Sequence, residues 1–237
     1  MPDAELFISD FHAKNQASLD RHLLAYKAAL VKETMEVIDY LRLAMKDAIE
    51  AAEVAALWFA DCEDLDMKIG FAEQCGSAAV HFRKISERIA SLGADRFDPR
   101  SGGYSRFFGF LRSLQTPEER AAAGLVTLRT FNIGRLSVFA DLCEERGDIE
   151  TAVIFRDQIA ADEQRVFDIG WRILIASGAT EESQARGRRA AFRIVELAAE
   201  AADPLQLRKA LPKRRVTLAP PSSTSAPPGG SPPPSSG

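Results

Sequence analysis

Between Asp3 and Ile69 the chain contains neither glycine nor proline, so nothing in that stretch forces the backbone out of a continuous helix. Apolar residues recur there at helical spacing: Leu23, Tyr26 and Leu30, then Val37, Leu41, Met45, Ile49 and Ala52, with Leu57 and Phe59 beyond. That period gathers them on one helix face. The spacing predicts an N-terminal helix from about 17 into the forties and a first core helix over 47–63, with no local signal that separates the two. Asp64 and Asp66 then offer a turn and an N-cap for a second core helix over 67–92. Gly93 supplies the left-handed residue that ends it.

From 94 to 115 the helical pattern lapses. Asp98-Pro99, Gly102-Gly103 and the apolar cluster Phe107, Phe108, Phe110 and Leu111 predict a long connection carrying a short helix. Thr116-Pro117-Glu118-Glu119 is a start signal, with Thr at the cap, Pro in the first turn and Glu three residues after the cap. It opens a third core helix to about 146, closed by Gly147-Asp148. A fourth spans about 149–177 and stops at Gly178, and a fifth runs from Thr180 to about 202. The overall balance, 46% hydrophobic and 27% charged, suits one domain. The reading is therefore all-α: a helical domain over 1–211 with its core at 47–178, and a tail over 212–237. From Ala219 to Gly237 the tail is almost wholly Pro, Ser, Gly, Ala and Thr. It has too little apolar surface to offset its ordering entropy, and is expected to be disordered.

Two helix pairs separated by a long crossover form one of the known bundle topologies. The pairs also echo each other, Phe59-Ala60-Asp61 reappearing as Phe139-Ala140-Asp141 and Gly93-Ala94 as Gly178-Ala179. A split motif stands inside them. Glu163-x-x-Val166 keeps an acid and lacks a histidine, while Ala78-x-x-His81 keeps a histidine and lacks an acid. On the crossover, Asp162-Glu163 and this split Glu-x-x-His pattern, the chain resembles the ferritin-like superfamily, with rubrerythrin-type and di-iron carboxylate members as relatives. The resemblance covers about 47–178. It implies a four-helix bundle of two helix pairs joined by a long crossover, flanked here by an N-terminal helix and a C-terminal fifth helix.

The same resemblance implies six metal ligands, one Glu on each of two helices and Glu-x-x-His on each of the other two. Aligning the glycines and the Phe-Ala-Asp matches leaves Glu50, His81 and Glu163 as vestigial metal candidates, with Ala78, Thr130 and Val166 where ligands are lost. Asp47 and Glu53 are rivals to Glu50. From Ala121 to Ala140 there is no Asp or Glu at all, so the buried part of the third helix offers no carboxylate. The expected fate of Glu163 and His81 is a satisfied polar pair, with Arg129, Arg135 and Arg165 as further partners for Glu163. Asp162 stands where such families more often support a histidine from behind. Trp58, Phe59, Phe71, Phe82, Phe131, Phe139, Phe155 and Phe167 are read as core, and His12 and His22 as surface.

Other chemistries find no motif: the chain lacks Gly-x-Gly-x-x-Gly, a phosphate-binding loop and Gly-x-Ser-x-Gly. Its cysteines, Cys62, Cys75 and Cys143, are three and unpaired by spacing, which suits free thiols in a reducing compartment. The acidic start does not read as a signal peptide, and no apolar run approaches a membrane span. A cytoplasmic protein is expected. Basic residues cluster between Arg186 and Arg215 on a chain whose net charge is −4. With the Pro/Ser-rich tail they offer an arm for a protein partner, and a homo-oligomer is compatible; nucleic acid and membrane are not the expected partners. The functional reading is a non-catalytic structural or interaction protein, without catalytic residues or cofactor. The alternative is a metal-dependent oxidoreductase or iron-handling protein, using iron or manganese at an atypical site.

Overall fold

The computed structural model describes residues 4–32, 36–95 and 98–201. Among them every regular element is helical: α1 (Ala4–Lys32), α2 (Val37–Asp61), α3 (Leu65–Ser91), a short 3₁₀ turn (Pro99–Gly102) and α4 (Arg106–Leu111). Next, α5 (Pro117–Glu119) runs through a π-helical segment (Arg120–Thr127) into α6 (Leu128–Glu145). Likewise α7 (Ile149–Val153) runs through a second π segment (Ile154–Ile159) into α8 (Ala160–Ser177), and α9 (Glu181–Ala201) comes last. No described helix is long and apolar enough to cross a membrane. The predicted tail over 212–237 lies outside the described residues.

Local signals set most boundaries. Asp64 accepts a hydrogen bond from the Met67 amide at 2.8 Å and caps α3. Gly93 and Gly147 close helices with φ of 71° and 78°, a region costly for any residue with a Cβ. Glu119 Oε2 reaches back to the Thr116 amide at 3.1 Å, completing the start of the third core helix.

The N-terminal boundary differs from the sequence expectation. The first helix begins at Ala4, ends at Lys32, and α2 starts at Val37 after an extended Glu36. Tertiary packing explains the break. Tyr26 Oη donates to Tyr40 Oη at 2.6 Å, whereas the same residues on one uninterrupted helix would stand about 21 Å apart along its axis. Folding back lets both tyrosines enter one cluster with Phe139 and Phe155.

Cross-helix pairs give the helix directions. Arg88 bonds Asp148 at 2.7 Å, Lys84 bonds Gln158 at 2.7 Å and His81 bonds Asp162 at 2.8 Å, so α3 runs antiparallel to the α7–α8 run. Tyr40 stacks on Phe139 with centroids 3.6 Å apart, Asp47 meets Arg135 at 3.2 Å, and Asp61 meets Arg120. Hence α2 runs antiparallel to the α5–α6 run. The residues between α3 and α5 therefore connect parallel helices, which requires a crossover and not a tight turn. Outside, α1 packs on α6, α8 and α9, and α9 packs on the first π segment and α5.

Two large apolar clusters fill the interior, and a small third one gathers Leu19, Phe131, Val195 and Ala198. One large cluster gathers Trp58, Phe71, Phe108, Leu125, Val126 and Val166; the other holds Tyr26, Tyr40, Phe139 and Phe155. Two close approaches tighten the first. A Cβ on Gly124 would fall 2.4 Å from the Trp58 ring, and one on Gly170 would fall 2.3 Å from Leu125 Cβ. Phe59 departs from its expected core place: it is 43% exposed, with Lys68 Nζ 5.1 Å from its ring centroid. His12 also departs, being half-buried against Phe167 and Trp171 at 5.4 Å from each, because α1 lies across α8.

Candidate functional site

Polar side chains separate the two large apolar clusters, and helix phase puts them there. On the α7–α8 run the buried positions Thr151, Phe155, Ile159 and Glu163 recur every four residues. In a straight α-helix each such step turns the face by about 40°, so the last of them would point away from the first. The π segment over Ile154–Ile159 has more residues per turn and keeps these positions closer to one line. The α5–α6 run has the same device over Arg120–Thr127, immediately before Arg129.

Glu50, His81 and Glu163 are all buried, at 6%, 5% and 8% exposure. Each is engaged by a different group. Arg129 Nη1 donates to both Glu163 oxygens, at 2.8 and 2.7 Å, and the Asn132 amide stands 3.4 Å from one of them. His81 Nε2 bonds Asp162 Oδ2 at 2.8 Å, and Asp162 also pairs with Arg165. Glu50 takes the Ser105 backbone N–H at 2.9 Å on one oxygen and the Ser105 hydroxyl on the other, with Lys46 Nζ 3.8 Å away. The expected Glu163–His81 pair is therefore replaced by two pairs, because Arg129 offers Glu163 a full charge and Asp162 lies opposite His81.

Burial pushes the Glu50 carboxyl up from 4.5 to about 7, opposed by the Ser105 hydrogen bonds and Lys46 and reinforced by Asp47. Burial likewise raises the Tyr26 and Tyr40 phenols, which keeps both protonated and hydrogen-bonded to each other. Cys143 is pushed to about 12, chiefly by burial, so its thiol is not a nucleophile near neutrality.

Two cavities flank the layer. One, about 50 Å³, is lined by Glu50, Trp58, Gln74, Ser105, Arg129 and Arg135 among others. The second, about 70 Å³, is lined by Tyr40, Ala78, His81, Arg129, Arg135 and Glu163 among others. Asp47, Ala51, Arg129, Asn132 and Arg135 face both. The centre is thus not sealed by apolar packing around Ala78, Thr130 and Val166. Ala78 and Val166 are buried at 5% and 4%, but Thr130 is only half-buried and returns its hydroxyl to the Val126 carbonyl at 2.9 Å. Its neighbour Arg129 occupies the interior instead.

The donor set does not fit a pair of divalent cations. Such a pair needs several carboxylates to neutralise and bridge it, and here the third core helix contributes guanidinium groups. Among the described residues no three His, Cys, Asp or Glu side chains converge where they could hold a metal ion. Asp47 is drawn to Arg135 at 3.2 Å, and Glu53 faces a third cavity with Tyr104. No protein-family model, no curated protein and no solved structure matches the chain.

Sequence reasoning named Arg129 and Asp162 but not Ser105, Asn132, Trp58 or Gln74 as members of this layer. Ser105 had a local signal, since its hydroxyl accepts from the Phe108 amide at 3.1 Å and caps α4. Nothing in the sequence ties that cap to Glu50, which is brought to it only by the crossover.

Proposed function

We propose that this chain is a ferritin-like helical bundle that has lost its dinuclear metal site and acts as a structural or interaction protein. Two antiparallel helix pairs and the connection between parallel helices support the bundle reading, and the stretch 121–140 of the third helix, without Asp or Glu, supports the loss of the site. The observation that carries the loss of metal is Arg129. Its guanidinium lies 2.7 and 2.8 Å from the Glu163 oxygens, a fixed cation at the carboxylate that the resemblance assigns to metal. A guanidinium repels an incoming cation and supplies the buried acid with the partner it needs. The basic residues toward Arg215 and the tail provide the interaction arm in this proposal.

The test is metal content and melting of full-length protein from iron- and manganese-supplemented cells. Metal should be well below one equivalent per chain, and the melting midpoint should be the same with and without chelator. About two equivalents, lost together with stability on chelation, would overturn the reading.

A further inference from the structure

The lining of the smaller of the two cavities includes residues whose buried N–H groups lack acceptors. Trp58, Gln74 and Arg129 are 2%, 3% and 4% exposed. Among the described residues Trp58 Nε1, Arg129 Nε and Arg135 Nε have no hydrogen-bond partner, and neither does Gln74 Oε1. All four residues line this cavity. Each guanidinium commits one terminal nitrogen to a carboxylate, Arg129 to Glu163 and Arg135 to Asp47, and leaves its Nε–H unsatisfied. A buried N–H without an acceptor is costly, and native interiors rarely keep several around one void. Three N–H groups and one carbonyl oxygen of the lining lack partners, while its two carboxylates, Glu50 and Asp47, already accept from Ser105 and Arg135. A small anion with two or three acceptor oxygens meets that need better than water, which brings two hydrogens of its own.

We propose that this cavity binds a small planar oxyanion of the monocarboxylate type, held by the N–H groups of Trp58, Arg129 and Arg135. Size agrees. About 50 Å³, at roughly 10–15 Å³ for each water-sized group, takes a ligand of formate or acetate dimensions and excludes larger acids. Both guanidinium planes suit a planar oxyanion, since such groups recognise carboxylates through paired N–H donors. Solvent reaches the layer beside Asp47, whose side chain is 47% exposed and faces the same cavity. Charge is balanced by Glu50 at the cavity wall. Lys46, Asp47 and Glu53 on α2, Arg129 and Arg135 on α6 and Arg100 of the 3₁₀ turn surround it, and its protonation near neutrality offsets the entering charge.

The test is thermal melting of the full chain with sodium formate, acetate, nitrate or chloride at constant ionic strength. A chelator is present throughout, so that a metal-bridged anion cannot mimic the result. Above its dissociation constant, each tenfold increase of ligand should raise Tm by about 3–6 °C, while chloride leaves it unchanged. Trp58→Phe keeps the ring and removes one donor, and should weaken binding about tenfold. Ala51→Leu fills the void without removing any donor, and should abolish the shift. A stronger response to formate and acetate than to nitrate identifies the ligand as an organic carboxylate; the reverse identifies it as inorganic, in the same site. No response to any of the three oxyanions overturns the proposal. So does a shift that survives Ala51→Leu in a variant whose far-ultraviolet dichroism matches the parent.

Discussion

Glu163 and Glu50 are buried almost equally, at 8% and 6% exposure, yet they are held by opposite means. Glu163 has a guanidinium on both oxygens. Glu50 has a hydroxyl and an amide from Ser105, with its nearest cation, Lys46, 3.8 Å away. The hydrogen bonds satisfy the lone pairs of Glu50 without offsetting its loss of hydration, and its carboxyl rises to about 7. The two sites teach that hydrogen-bond saturation and charge compensation are separate requirements for a buried acid. One site is a guanidinium–carboxylate pair, and the other is a carboxyl that changes protonation near neutrality.

The largest expected effect comes from removing the cation. Arg129→Met should cost about 3–5 kcal/mol, because it strands a buried carboxylate, as read by urea denaturation at pH 7. Adding Glu163→Leu should recover most of that loss, since a well-packed apolar pair of similar volume replaces a buried ion pair at little net cost. A single variant as stable as the parent would erase the distinction between the two acids.

Glu50 should show itself through pH. Because the folded state keeps a proton that the unfolded chain has released, stability contributed at this site falls as pH rises from about 4.5 to about 7. At about 1.4 kcal/mol for each unit of pH, the whole effect is on the order of 3 kcal/mol. Glu50→Gln should remove that slope and leave the protein more stable than the parent at pH 8. Parallel stability curves for the two proteins between pH 5 and pH 8 would refute the assignment.

Ser105→Ala is the smallest and sharpest probe. It removes the hydroxyl that serves Glu50 and caps α4, for an expected loss of about 1–2 kcal/mol. The pKa assigned to Glu50 by carboxyl-selective NMR should rise further, because an ionised carboxylate loses a donor. A fall would mean that Ser105 does not stabilise the charged form.

Much of the fold was legible locally. Asp64, Gly93, Thr116 with Glu119, and Gly147 end or begin helices through hydrogen bonds and backbone conformations reaching no more than about four residues. Composition also excluded any carboxylate from 121–140 of the third core helix, although Glu118 at its start is buried and paired with Arg186. The break before Val37 carried no such signal, and arises because Tyr26 and Tyr40 gain a common partner cluster only when the chain folds back.

The site divides the same way. The sequence determined which ionisable residues were available: Glu50, His81 and Glu163 on core helices, with Arg129, Arg135 and Asp162 within reach. Tertiary structure decided the partners. Each residue inserted in a π turn rotates the downstream helix by about 100°, so no pattern read at constant period could favour Arg129 over Thr130. The crossover then carries Ser105 to Glu50, residues 55 positions apart in the chain. Local capping is written within single turns, whereas pairing across helices depends on rotation, stagger and loop path, which only the assembled helices define.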